Sequence, residues 1–369
     1  MSENQLEAIP KVMMAVQLTG NGGPEKLAVL HDIRVPDIGE DEVLIRVKAC
    51  GVNNTDINTR VGWYSKSVTA ATSSKGFGEI EDKQTWGGNK FSFPRIQGAD
   101  VCGIVVDVGN NADASLIGRR VLVDPCVRNP KPGNWRDNAR YLGSEINGAF
   151  AQYCAVPLRN TYPINSEMTD IELASFPCSW ATAEHMLTRS RLRKGQTLVV
   201  TGASGGVGTA LIQLAKLREA NVIAVTSLEK FDSVKDCGAD LLLDRNEKEL
   251  KSNIIELAQG PVDVLADVAG GNNFVQLFES IAKGGCYVTS GAIAGPIVDL
   301  DLRTLYLNDI EMHGCTVYDP AVFKLLVEYI ENERVKPIIG GVFRLEEIRH
   351  AQEEFSKKQH VGAMVLTVD

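Results

Sequence analysis

The chain is poor in the residues that hold metals and rich in none that bind polyanions. Its 369 residues include eight cysteines, at 50, 102, 126, 154, 178, 237, 286 and 315, never closer than 24 positions apart. No CxxC pair exists, which excludes a zinc knuckle and a dithiol redox motif. The thiols read instead as small buried hydrophobes of a reducing compartment. Histidine is equally sparse, with five copies at 31, 185, 313, 350 and 360. Basic clusters are missing too: 38 Lys and Arg stand against 47 Asp and Glu, a formal charge of −9. Nucleic acid and anionic membrane are therefore poor partners. No apolar run approaches the length of a bilayer span, and the start "MSENQLEAIPKVMM" lacks the apolar core of a secretion signal. These absences point to a cytoplasmic protein without a membrane segment.

What is present is ordinary globular material, 44% hydrophobic and 23% charged. The length exceeds what one hydrophobic core usually serves, so two domains are expected. The first part reads as β-structure: "EVLIRVKAC" alternates apolar and polar residues, and "VCGIVVDVG" and "GRRVLVDP" are short apolar strands bounded by turn residues. Between Ser65 and Ser92 the text becomes small, polar and turn-rich, the mark of a lid, a binding loop or a disordered segment. After about Asp170, strands and helices alternate, beginning with "QTLVVTG", "GVGTALIQLAKLREA" and "NVIAVTS". That order implies an α/β doubly wound parallel sheet. The closing "KPIIGGVFRLEEIRHAQEEFSKKQHVGAMVLTV" reads strand–helix–strand and is expected to return to the first domain. The boundaries fall at 1–166 with 320–369 for the first domain and 167–319 for the second.

"TLVVTGASGGVGTALIQLAK" is the strongest local signal: an apolar strand enters a glycine-rich turn that opens a helix at Val207. Ala203, Ser204, Gly205, Gly206, Val207 and Gly208 form the turn, with Ala203 in place of the usual first glycine. Gly205 lets backbone approach a pyrophosphate, Gly208 lets helix and strand pack, and the helix N-terminus supplies donors. An acid at the end of the next strand would grip the ribose of NAD and repel a 2′-phosphate. Thr226 and Ser227 stand there, with Lys230 and Arg245 nearby, which favours NADP(H) over NAD(H). Solvated helix-start residues are the plain alternative for both cations.

The stretch "GVNNTDINTRVGWY" carries the chemistry. With it, the chain resembles the medium-chain dehydrogenase/reductase superfamily over nearly its whole length. The resemblance implies a GroES-like β-rich catalytic domain beside a Rossmann domain. Zinc alcohol dehydrogenases of that superfamily read G-V-C-H-T-D, where the cysteine binds zinc; here Asn53 and Asn54 stand at the cysteine and histidine. The second ligand position, in a G-H-E motif, is Ala99 followed by Asp100, and the third is Cys178. Where four closely spaced cysteines would form a structural zinc lobe, only Cys126 stands. One cysteine and one carboxylate are too few for zinc, so no metal is expected.

The pattern N-x-x-D-x-x-x-x-x-G-x-Y of the quinone oxidoreductase and enoyl reductase branches is met by Asn53, Asp56, Gly62 and Tyr64. The resemblance implies hydride transfer to a quinone, an enone or another activated double bond, with alcohol or aldehyde dehydrogenation as the alternative. NADPH binding without turnover is a third possibility. In this reading Asn53 donates to a substrate carbonyl, Tyr64 supplies a proton and Thr55 relays one. Thr182 and Gly291 match the superfamily's nicotinamide contacts, and Ala363 replaces a lysine of its G-K-x-V-L ending. Each catalytic assignment has a structural rival: Thr55 and Asp56 as helix caps, Tyr64 as an aromatic anchor, Asn53 in a buried turn, Cys178 and Thr182 in an apolar helix. By resemblance, "DIEMHGCTV" is the last strand of the nucleotide sheet and pairs two subunits in a homodimer.

Overall fold

The computed structural model describes residues 8–72, 86–88, 91–128, 136–137 and 139–369, and every statement below concerns those residues. The alternation in "EVLIRVKAC" produces β3 (Glu42–Val52), whose Val43, Ile45, Val47 and Ala49 are buried. One edge of β3 pairs antiparallel with β5 (Cys102–Val108). The other edge is shared: β9 (Tyr153–Pro157) takes the first half and β18 (Ala363–Thr367) the second. The sheet runs β10 (Thr161–Pro163), β6 (Arg120–Val123), β5, β3, β18 and β17 (Ile339–Arg344). A smaller sheet joins β1 (Val12–Leu18) to β2 (Leu27–Arg34) and β4 (Arg95–Ile96), and β7 (Cys126–Val127) pairs with β8 (Arg140–Tyr141). The last strand–helix–strand unit, with α10 (Ile348–Lys357) between β17 and β18, does return to the first sheet.

The second unit is a parallel six-stranded sheet. Its order is β13 (Leu241–Asp244), β12 (Asn221–Thr226), β11 (Thr197–Val200), β14 (Val262–Asp267), β15 (Ile281–Thr289) and β16 (Glu311–Gly314). The order reverses between β11 and β14, which opens the crevice where such sheets bind nucleotides. Its helices are α4 (Gly206–Leu217), α5 (Phe231–Asp236), α6 (Leu250–Ala258), α7 (Phe274–Phe278) and α8 (Leu302–Leu307). Two details differ from the sequence reading. Helix α4 starts at Gly206, one residue before Val207. Strand β15 starts at Ile281, inside "NNFVQLFESIAKG", which the strand–helix alternation makes the helix before the strand "GCYVTSG", because buried Ile281 pairs with Val262 across a bulge that Gly284 permits at φ 75°.

Between the two units lie α2 (Asp170–Leu173), α3 (Pro177–Ser190) and α9 (Pro320–Glu331). A buried cluster closes the junction. The Arg128 guanidinium donates to Asp124 at 2.7 Å and to the Tyr318 carbonyl at 2.6 Å, and the Tyr318 hydroxyl donates to Asp124 at 2.7 Å. The Asp124 and Arg128 charges thus compensate each other inside the junction.

Candidate active site

Strand β3 runs straight through Asn53 into α1 (Asn54–Val61), so the strand fixes where the helix begins. Asn53 is the N-cap and forms a capping box with Asp56, whose carboxylate accepts the Asn53 backbone N–H at 2.8 Å. Such a cap stabilises a helix by about 1 kcal/mol. The second Asp56 oxygen accepts from the Gly98 backbone at 3.2 Å. The capping reading therefore holds for Asp56. The Asn53 amide does something else: its Nδ2 donates to Asp100 at 2.7 Å.

Asp100 is buried, and its other oxygen accepts the Cys178 N–H at 2.6 Å, at the start of α3. Gly51 makes room for it, since a Cβ there would lie 2.2 Å from the carboxylate. Burial pushes both Asp56 and Asp100 up to about 7, against the pull of these N–H donors. Cys178 is half-buried, and its sulfur accepts the Tyr141 hydroxyl at 3.2 Å. Burial, aided by Asp100, lifts the Cys178 thiol well above its usual range.

Helix α1 ends at Gly62 in the left-handed region, φ 77°, which turns the chain back over the helix. That turn brings the Tyr64 hydroxyl to Thr55 Oγ1 at 3.2 Å, although they lie nine positions apart in the sequence. Burial holds the Tyr64 phenol up at about 12, and Cys178 and Asp56 act on it electrostatically. Asn53, Thr55, Tyr64 and Cys178 thus converge. Of the 65–92 segment, 73–85, 89 and 90 lie outside the described residues. Its first part crosses to the nucleotide unit: Thr72 donates its N–H to the Ile293 carbonyl at 3.1 Å and its hydroxyl to Asn58 at 3.0 Å. At its far end Trp86 stacks on Tyr141 with ring centroids 4.7 Å apart.

At the C-terminal end of β11, Gly202 takes φ 57° and Gly205 caps α4. A Cβ on Gly208 would meet the Gly202 carbonyl at 2.3 Å, so only glycine allows this turn and helix to close. Ala203 is fully buried. Ser204 is held from the far end of the chain, its carbonyl accepting the Gly362 N–H at 2.8 Å. Lys230 Nζ lies 3.4 Å from Ser204 Oγ and donates to the Lys358 carbonyl at 2.5 Å. Lys358 Nζ in turn donates to Asn54 at 2.8 Å. Burial and the neighbouring Lys230 depress the Lys358 ammonium to about 7. Thr226 and Ser227 end β12; the Arg245 N–H bonds the Thr226 carbonyl at 2.8 Å, and the Ser227 hydroxyl donates to Glu229 at 2.6 Å. Gly291 follows β15 and accepts from Thr289, while the Thr182 hydroxyl is turned back onto the Cys178 carbonyl at 2.7 Å.

Residues 39–166 match the alcohol dehydrogenase GroES-like domain, and residues 206–332 match the zinc-binding dehydrogenase model. A solved structure, a putative alcohol dehydrogenase from Sinorhizobium meliloti 1021, is 41% identical, covers 98% of each chain and superposes with a TM-score of 0.89. The chain belongs to the medium-chain dehydrogenase/reductase superfamily. It is an NAD(P)-dependent oxidoreductase acting on a small molecule. An NAD-dependent alcohol dehydrogenase of Sulfurisphaera tokodaii is 28% identical over 96% of this chain and 99% of its own. A quinone oxidoreductase of Rattus norvegicus is 26% identical over 96% of this chain and 98% of its own.

The superfamily's zinc does not fit the donors found here. Among the described residues, no three His, Cys, Asp or Glu side chains lie where one metal ion could bind. Asn53 presents an N–H toward Asp100, Ala99 offers no donor atom, and Cys178 already accepts from Tyr141. The glycine-rich turn does fit a dinucleotide, because Lys230 and a helix N-terminus supply donors of the kind that phosphates need. Asp100, Tyr141 and Lys358 escaped the sequence reading as participants. Asp100 was visible only as a substituted glutamate. Lys358, 304 positions from Asn54, gave no local signal.

Proposed function

We propose that this protein is a zinc-independent, NADPH-dependent reductase of quinones, enones or related activated double bonds. The observation that carries the reading is the Asn53–Asp100 hydrogen bond. It makes the residue that stands at the zinc relatives' first ligand position an N–H donor to Asp100, a role that an amide fills and a metal-binding thiolate does not. When bound, the nicotinamide supplies a hydride to the acceptor. The chain must then stabilise an enolate or phenolate and protonate it. Asn53 offers an amide N–H to the developing oxyanion. Thr55 gives its hydroxyl proton to the product anion and takes the Tyr64 phenol proton, an order consistent with the phenol acting as donor at 3.2 Å. Burial keeps that phenol protonated at neutral pH.

Lys230 and Lys358, with Ser204 and Arg245, support NADP(H) as the cofactor. Lys230 lies beside the glycine-rich turn and is held there by the Lys358 carbonyl, and Lys358 places a cation near the start of α1 although Ala363 has lost the superfamily's lysine. Glu229 beside Ser227 is the observation that favours NAD(H) instead, as does the likeness to the NAD-dependent alcohol dehydrogenase of Sulfurisphaera tokodaii.

A homodimer is proposed through the β16 edge. Beside it, Ile297, Leu302, Tyr306 and Leu307 are 60% to 69% exposed, an apolar face that a second copy would cover.

The test is NADPH oxidation with a quinone and with an α,β-unsaturated ketone, beside NADP-linked oxidation of primary and secondary alcohols. Faster turnover of the quinone or enone is expected. Turnover of alcohols alone would favour the dehydrogenase reading.

A further inference from the structure

We infer that Asp100 is a positioning residue that sets the orientation of the Asn53 amide for the reaction. The inference rests on the role proposed for Asn53 and goes beyond it. Asp100 is buried, and both of its oxygens are engaged by N–H donors from opposite walls of the site: Asn53 Nδ2 at 2.7 Å and the Cys178 backbone at 2.6 Å.

The chemistry of residue 100 follows from its partners. Two donors converge on it, so it must offer two acceptors, and a carboxylate does so where an amide cannot. A buried carboxylate whose partners are N–H groups, without a cation in hydrogen-bond reach, is costly to keep. The fold accommodates the cost locally. Gly51 removes the side chain that would collide with Asp100 at 2.2 Å, and burial raises the Asp100 carboxyl to about 7. Such an arrangement stabilises little by itself but fixes geometry at a reaction centre.

Its effect on Asn53 is specific. The capping box with Asp56 engages the residue from the helix side, and Asp100 takes one N–H of the amide. The second N–H is then the donor left for a substrate oxygen. Without Asp100 the amide nitrogen loses its acceptor, and an amide that turns its oxygen that way round presents a lone pair to an oxyanion. Because Asp100 also grips the first turn of α3, it ties that orientation to Cys178 on the opposite wall. It is not placed to touch the cofactor turn, whose holders are Gly362 and Lys230.

The experiment is a double-mutant cycle on the full-length protein. Asp100→Asn, Asn53→Ala and the pair are compared with the parent in kcat, in KM for NADPH and in melting temperature. The acceptor or alcohol is whichever the parent turns over, so the parent's choice of substrate judges the proposed function and the cycle judges the clamp. Asp100→Asn is expected to lower kcat by about ten- to a hundredfold with KM for NADPH unchanged, as misplacement of a reacting group does. In the Asn53→Ala background the same substitution should cost less than about twofold. Full multiplication of the two effects, or an unchanged kcat in folded Asp100→Asn, would overturn the assignment. Should Asp100→Asn fail to fold, Gly51→Ala displaces the same carboxylate and takes its place in the cycle, with the same expected and overturning results.

Discussion

The hydroxyls of Tyr64 and Thr55 meet at 3.2 Å because Gly62 turns the chain back over the helix that Asn53 caps. This pairing makes the phenol a donor to the threonine, and in the proposed mechanism the threonine proton then serves a substrate anion. Tyr64→Phe should lower kcat by about a hundredfold, within the usual range for one general acid. NADPH affinity, followed by fluorescence titration, should stay within about twofold of the parent, since the cofactor turn lies elsewhere. Undiminished turnover in the phenylalanine variant would reduce Tyr64 to an aromatic anchor against Trp63.

Lys358 titrates where enzymes are assayed. Its ammonium is depressed to about 7, so the cation is lost as pH rises through that value. NADPH affinity should therefore weaken between about pH 6 and about pH 8. Lys358→Gln should bind NADPH about tenfold less tightly at the acid end and flatten the profile. NADH affinity should change less if the lysines serve a 2′-phosphate. Equal losses for both cofactors would move Lys358 to the shared pyrophosphate.

The buried carboxylates leave a mark on stability. Asp100 stands at about 7 folded against 3.8 for the free group, so the folded state holds the extra proton between those values. Where the folded state binds more protons, stability falls as pH rises. The contribution of Asp100 thus declines from about pH 4 to about pH 7 and reaches its full penalty above. Asp100→Asn removes this dependence, so its melting temperature should gain on the parent between about pH 5 and about pH 8. A constant gap across that range would mean that Asp100 is not the raised carboxyl.

The exposed face beside β16 gives a test of assembly. Replacing Leu302 and Tyr306, 63% and 62% exposed, with Asp places charge where a second copy would pack. Sedimentation velocity should then show a shift from dimer toward monomer. A parent that sediments as a monomer would remove the proposal.

Much of the architecture was legible because it rests on local pattern. The alternation in β3, the strand–turn–helix around Gly205 and the strand–helix–strand ending all produced the elements expected of them. The start of β15 was missed because a strand that runs through Gly284 and Gly285 carries no continuous apolar signal. At the site, the motif Asn53, Thr55 and Tyr64 could be read in one line, since helix and turn chemistry bring those residues together. Asp100, Tyr141 and Lys358 could not. Their partners are 47, 37 and 304 positions away, and tertiary packing alone supplies the meeting.

The central claim is that the proposed reduction works through hydrogen-bond donors rather than a metal. The most direct measurement is the rate of NADPH oxidation with a quinone before and after exhaustive dialysis against a chelator, with zinc then added back. An unchanged rate at every stage is predicted. Activity that disappears with the chelator and returns with zinc would contradict the account.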